Sequence, residues 1–182
     1  MGTDETASKK SSVRQRADEI KPYICKNIVA VIENPTDIKN IGTVIRNVNA
    51  LGVEKTYIID TRKSLPDDWQ DMRERRSLSK TSVSAIKWSF VKRFDSTEDC
   101  IEHLNKNRFV SLVTSPHVKG KRNEILHEVD YTQYTKLAVW FGMIESLNLG
   151  TTSGIVLYEV TKQRRDYQSK FKRANKRREI KS

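Results

Sequence analysis

Cysteine is scarce in this sequence. The 182 residues hold only Cys25 and Cys100, 75 positions apart and in no CxxC pair. That spacing supports neither a disulfide framework nor a zinc knuckle, and two reduced thiols are expected. Histidine is scarce too: His103, His117 and His127 are scattered, giving no cluster for a metal and no Ser-His-Asp arrangement. No apolar run approaches the roughly 18 residues of a membrane span. The stretch MGTDETASKKSSVRQRADEI (1–20) lacks the apolar centre of a signal peptide. The expectation is a soluble, cytoplasmic protein with neither a membrane nor a metal as partner. Glycine-rich phosphate motifs are also missing. Asn34-Pro35-Thr36-Asp37 stand where G-x-G-x-x-G would follow the first strand, and no G-x-x-x-x-G-K-[ST] occurs anywhere. A Rossmann nucleotide site and a phosphate loop are therefore disfavoured.

What the chain does have is positive charge and enough apolar material for a core. Hydrophobic residues make up 36% and aromatics 8%, which rules out collagen-like, low-complexity and wholly disordered classes. Lys+Arg number 34 against 23 Asp+Glu, a net charge of +11 that suits a polyanionic partner. The excess is localised, because residues 161–182 hold ten basic side chains against Asp166 and Glu179. Tyr167 and Phe171, four apart on a helix, give that tail one flank that packs. Arg164, Arg165, Lys172, Arg173, Lys176 and Arg177 are then expected to stay free and neutralise the phosphates of a polyanion.

Along the chain, β-branched runs alternate with helical periodicity. NIVAVIE (27–33) reads as a buried strand closed by the Asn34-Pro35 turn signal. Ile38, Ile41, Val44, Ile45, Val48 and Leu51 then recur at helical spacing, and Gly52 supplies a stop. Segments 55–60, 87–94, 108–113 and 136–141 read as further strands. A helix capped by Ser96 or Thr97 covers 96–107, and a long helix runs from Ser146 into the basic tail. The polar stretch 64–84 reads as loop with some helix. This alternation predicts an α/β fold with a parallel sheet and helices on both faces. The expected organisation is a polar N-terminal extension (1–22), one domain (23–160) and a basic helical extension (161–182).

Ligands of open parallel sheets bind beyond the carboxyl ends of the strands. Two polar clusters qualify. Asn40 and Arg46 lie on the first helix, although spacing alone leaves open whether Arg46 merely points to solvent. Residues 145–154, ESLNLGTTSG, open the last helix with Ser146 as a natural cap, and Gly150 and Gly154 leave one face bare for close approach.

These segments together are familiar. NPTDIKNIGTVIRNVNALGV (34–53) resembles the first motif of the SPOUT-class, TrmH-type RNA ribose 2′-O-methyltransferases. KLAVWFG (136–142) is similar to their second motif and MIESLNLGTTSGIVLYE (143–159) to their third. SLSKTSVSAIKW (77–88) resembles the segment before the third strand of tRNA-acting members, and the resemblance covers residues 27 to 159. It implies a parallel sheet flanked by helices with a C-terminal trefoil knot, an exception to the unknotted rule. It also implies a homodimer with the active site at the subunit interface, and S-adenosylmethionine as cofactor. Main-chain groups around Thr114, Gly142, Met143 and Leu147 would hold that cofactor. Arg46 matches the family's catalytic arginine, and Asn40, Ser146 and Asn148 match the polar residues around it. The implied substrate is tRNA, with a D-loop guanosine as target. The alternatives are ribosomal RNA and a catalytically silent RNA-binding relative.

One departure accompanies the resemblance. Family members follow the second motif with an acidic residue and a segment ending in a short strand, whereas here Gly142 runs directly into Met143. The resemblance implies further chain at this junction. A normal peptide bond of about 1.33 Å there would instead make the short junction real and favour the silent relative.

Overall fold

The computed structural model describes residues 24–65, 69–82, 85–87, 89–115, 123–142 and 148–179, without the side chains of 69, 70, 73, 77, 87 and 166–179. The expected extension 1–22 lies outside the described residues.

Five parallel strands form one sheet in the order β3-β2-β1-β5-β4. They are β1 (Cys25–Glu33), β2 (Val53–Ile59), β3 (Phe90–Phe94), β4 (Val110–Val113) and β5 (Leu137–Phe141). The central strand β1 is buried on both faces, so Ile28 to Ile32 form an unbroken apolar run instead of an alternating one. On one face Ile28, Ala30 and Ile32 pack with α1 (Ile38–Ala50) and α5 (Leu149–Glu179), through residues such as Ile41, Val48, Leu157 and Val160. On the other, Val29, Val31, Tyr57 and Ile59 meet α4 (Thr97–Lys106) through Cys100 and Leu104. Both cysteines are free and buried, and burial pushes the Cys100 thiol up to about 12. Cys100 is therefore not poised for thiolate chemistry.

Local chemistry fixes the ends of the helices. The Asp37 carboxylate accepts from Lys39 N at 2.8 Å to start α1, and Gly52, at φ 71°, takes the left-handed conformation that ends it. Ser96 caps α4, its hydroxyl accepting from Asp99 N at 3.0 Å. The polar stretch 64–84 has the loop with some helix expected of it, while several element boundaries shift from the sequence expectation. The polar stretch after Ser64 contains two short helices, α2 (Trp69–Glu74) and α3 (Arg76–Thr81). A 3-10 turn over Ala85–Lys87 delays β3 to Phe90. The last helix begins at Leu149, not Ser146, because Asn148 caps it: its Oδ1 accepts from Gly150 N at 2.8 Å and Thr151 N at 3.4 Å.

Helix α1 is packed closely on two sides. A Cβ on Gly42 would meet Thr81 Oγ1 at 1.9 Å and Ser82 N at 3.2 Å, so only glycine lets α3 approach here. On the far side, β5 reaches α5 through residues 142–148 alone. That link is too short for a further parallel strand with its crossover, which takes about a dozen residues or more. The extra chain expected at this junction is absent, since Met143 follows Gly142 directly in the full sequence; residues 143–147, and with them Met143, Ser146 and Leu147, lie outside the described residues.

Candidate active site

The carboxyl ends of β1, β4 and β5, with the first turns of α1 and α5, bring together residues far apart in sequence. Asn148 Nδ2 donates to Asn40 Oδ1 at 3.3 Å, joining the openings of the two helices. The same Asn148 amide caps α5, so one side chain both fixes the helix start and reaches α1. Thr114 and Gly142 stand beside each other just past β4 and β5, since Val113 pairs with Trp140 and Thr114 donates to Trp140 O from N (3.0 Å) and Oγ1 (2.7 Å). A Cβ on Gly142 would meet no described atom within 4 Å.

Arg46 is not joined to the asparagine pair. It follows Asn40 by six residues, about 240° round the helix and roughly 9 Å along it. Its side chain is exposed and has no hydrogen bond or ion pair among the described residues. The residue that sequence reasoning missed is Asn47, one heptad after Asn40 on the same helix face. Asn47 Nδ2 donates to Gly150 O (2.8 Å) and Ser153 Oγ (2.9 Å), tying α1 to α5. A seven-residue interval between two asparagines on an amphipathic helix was the available signal.

Of the two glycines, only Gly150 is held to its identity by close approach. A Cβ there would stand 2.5 Å from Thr43 Cγ2, whereas at Gly154 the nearest atom is Asn47 Nδ2 at 3.4 Å. Gly150→Ala is therefore expected to cost about 1–3 kcal/mol of stability by overpacking. Gly154→Ala should be neutral, or gain up to about 1 kcal/mol from helix propensity. Thermal unfolding of the two variants measures the contrast.

The basic tail requires a correction. Arg164 was expected to be free for RNA, but it is buried, 7% exposed. Its Nη1 donates to the carbonyls of Tyr131 (3.1 Å) and Tyr134, and its Nη2 to Thr135 O (2.9 Å). Three carbonyls with no other described donor attract a planar fork more strongly than solvent does. Arg165 is exposed and donates to Leu51 O, which ties the tail to the end of α1. Lys172, Arg173, Lys176 and Arg177 lie on α5, with side chains outside those described.

Asp60, just past β2, is a structural carboxylate. It accepts from Ser64 N (2.9 Å), Ser64 Oγ (3.0 Å), Leu65 N (2.9 Å) and Arg93 Nη2 (3.1 Å). Burial works to raise its pKa, but the N–H groups of Leu65 and Ser64, the Ser64 hydroxyl and Arg93 outweigh it and hold the carboxyl below its ordinary range. Its oxygens are committed to the turn and unsuited to act as a base. No group of His, Cys, Asp and Glu among the described residues could hold a metal, and no described helix is long and apolar enough to cross a membrane.

The family model described as "SpoU rRNA Methylase family" matches residues 27–143. The tRNA (guanosine(18)-2'-O)-methyltransferase of Thermus thermophilus is 20% identical over 173 residues, covering 83% of this chain and 82% of that protein. The Aquifex aeolicus protein of the same name is 23% identical over 174 residues, covering 84% and 77%. The crystal structure of the A. aeolicus TrmH/SpoU tRNA modifying enzyme superposes with a TM-score of 0.64 at 20% identity over 86% of each chain. The SpoU methyltransferase AviRb from Streptomyces viridochromogenes, solved in complex with AdoMet, gives 0.57 at 18% identity over 82% of this chain and 64% of that one. These likenesses agree with the parallel sheet flanked by helices. The chain belongs to the SpoU rRNA methylase family of methyltransferases.

Proposed function

We propose that the protein is an S-adenosylmethionine-dependent RNA ribose 2′-O-methyltransferase whose substrate is tRNA, with a guanosine of the D-loop as target. The observation that carries this reading is the Asn40–Asn148 hydrogen bond at 3.3 Å, which unites the first and third motifs beyond the carboxyl ends of the strands. Main-chain groups of Thr114, Gly142, Met143 and Leu147 would hold the cofactor there. S-adenosylmethionine supplies an electrophilic methyl group on a sulfonium.

A ribose 2′-hydroxyl is a poor nucleophile until its developing charge is masked. The guanidinium of Arg46 would stabilise the oxygen as its charge develops and orient a neighbouring RNA phosphate, whose oxygen takes the hydroxyl proton as the methyl passes from sulfur to oxygen and the neutral thioether leaves, a preorganised electrostatic role. The side-chain amides of Asn40 and Asn148 and the Ser146 hydroxyl would then orient the sugar. Arg46 lies apart from the asparagine pair, so the site is completed by a second copy of the chain, in a knotted homodimer. An apolar groove of about 500 Å³ between α1 and α5, lined by Leu51, Ile155 and Tyr158, supports such a docking. Ile155 and Tyr158 are 52% and 56% exposed in the single chain. Arg165 and the tail cations Lys172, Arg173, Lys176 and Arg177 would grip the RNA.

The short link 142–148 favours a second reading, a silent relative that binds RNA without methylating it. One experiment separates the two. Incubation of unmodified tRNA with labelled S-adenosylmethionine should place one methyl on a D-loop ribose, mapped by its resistance to alkaline cleavage. Tight RNA binding with no transfer, and no calorimetric signal with the cofactor alone, would establish the silent reading. Transfer to ribosomal RNA only would keep the chemistry and move the substrate.

A further inference from the structure

At the opposite end of the sheet from Asn40 and Asn148, the amino ends of the strands build a second cleft of about 290 Å³. It lies on the face covered by α4, where Lys55 and Tyr57 of β2 stand in register with Phe90 and Lys92 of β3. Lys26, Lys55, Lys92 and Lys136 line it, drawn from four separate parts of the chain, and no carboxylate lines it. Glu54, beside Lys55 on β2, pairs with it at 3.5 Å. Aromatic rings alternate with the cations: Lys55 Nζ lies 5.7 Å from the Phe90 ring centre and Lys136 Nζ 5.4 Å from that of Phe109. Such contacts seat the lysine stems without neutralising their charge.

A half-buried polar relay adjoins the same space. Lys92 Nζ stands 3.3 Å from His103 Nδ1, and Tyr57 Oη stands 3.3 Å from His103 Nε2. An ammonium is a donor only, so Nδ1 is the accepting nitrogen and Nε2 carries the ring proton. Tyr57 Oη then accepts, and its own hydroxyl proton has no acceptor among the described residues. Burial, followed by the fields of Lys92, Lys55 and Lys106, holds His103 below its ordinary range, which agrees with a neutral ring in a positive potential. The cleft thus offers four cations and a spare O–H donor beside Phe90, whose ring is 53% exposed.

We propose that this cleft binds a nucleoside phosphate, with the phosphate among the lysines and the Tyr57 hydroxyl and the base stacked on Phe90. The juxtaposition of cations with open aromatic faces is what distinguishes this chemistry from that of a bare anion site, because a base needs the ring and a simple anion does not. The volume fits one nucleotide unit and sits at the lower limit of small-molecule sites. Two sources carry that unit, a free nucleotide or a residue of single-stranded RNA. The proposal needs neither S-adenosylmethionine nor Arg46, so it stands or falls separately from methyl transfer.

The test titrates the full chain with adenosine monophosphate, inorganic phosphate and a fluorescent oligoadenylate. Lys26→Glu/Lys55→Glu should weaken nucleotide or oligomer binding tenfold or more, and Phe90→Ala should weaken it by about fivefold to a hundredfold, the usual range for a lost base stack. Lys26 and Phe90 are exposed, so the single variants Lys26→Gln and Phe90→Ala keep the test available if the double charge reversal fails to fold. Saturable binding of the mononucleotide identifies the free nucleotide as ligand, whereas binding of the oligomer alone identifies an RNA segment. The proposal is overturned if neither ligand binds, if binding is indifferent to all these variants, or if inorganic phosphate binds as tightly as the nucleotide.

Discussion

Replacing Arg46 by alanine is expected to lower methyl-transfer turnover by at least about two orders of magnitude, the usual size of one preorganised group that meets developing charge. The same variant should bind S-adenosylmethionine normally and melt where the wild type does. The reason is in the structure: the guanidinium is exposed and has no partner among the described residues, so its removal uncovers no buried donor or acceptor. Arg46→Lys sharpens the test. It keeps the charge but loses the planar fork that holds an alkoxide and a phosphate together, and intermediate turnover is expected. Wild-type turnover in Arg46→Ala would remove this side chain from the reaction.

The largest effect on stability is expected from Arg164→Ala. Its guanidinium serves the carbonyls of Tyr131, Tyr134 and Thr135 from a buried position, and truncation would strand all three. A loss of about 3 kcal/mol follows from breaking such a charge-assisted group. For a chain of this length that corresponds to a fall in melting temperature of about 6–12 °C. Arg164→Lys should recover little of it, since one ammonium cannot span three acceptors, whereas Arg165→Ala at the exposed neighbouring position should cost less than about 1 kcal/mol. Denaturant unfolding of the three variants compares them directly. A stable Arg164→Ala protein would mean that the loop before β5 is held by other contacts.

The sequence made some of this legible for identifiable reasons. Helix α1 could be read because six apolar residues keep the helical interval and Gly52 ends it at φ 71°. The two helices between Trp69 and Thr81 could be read only as some helix within a loop, since each has six residues, too few for a periodic signal, and among their described side chains only Met72 and Leu78 are buried. Their position depends on Gly42, which nothing local to them encodes. The role of Arg164 was hidden for a similar reason. A charge count sees a cation in a basic tail, whereas its acceptors lie about thirty positions upstream and meet it only after β5 has joined the sheet. The asparagine pair was legible as two motifs, yet the bond between them, and the supporting role of Asn47, required the packing of α1 on α5. The lysine cleft was invisible in sequence, because Lys26, Lys55, Lys92 and Lys136 converge only through the parallel register of their strands.

Helix α1 is wedged between α3 at Gly42 and α5 at Gly150, with an amide bond network along the second contact. A rod gripped on both flanks cannot swivel to meet an incoming polymer. On the proposed function, whatever distortion brings a sugar oxygen beside Arg46 is then borne by the nucleic acid, and folded RNAs whose target nucleotide already loops outward should be processed ahead of those that must first unstack it.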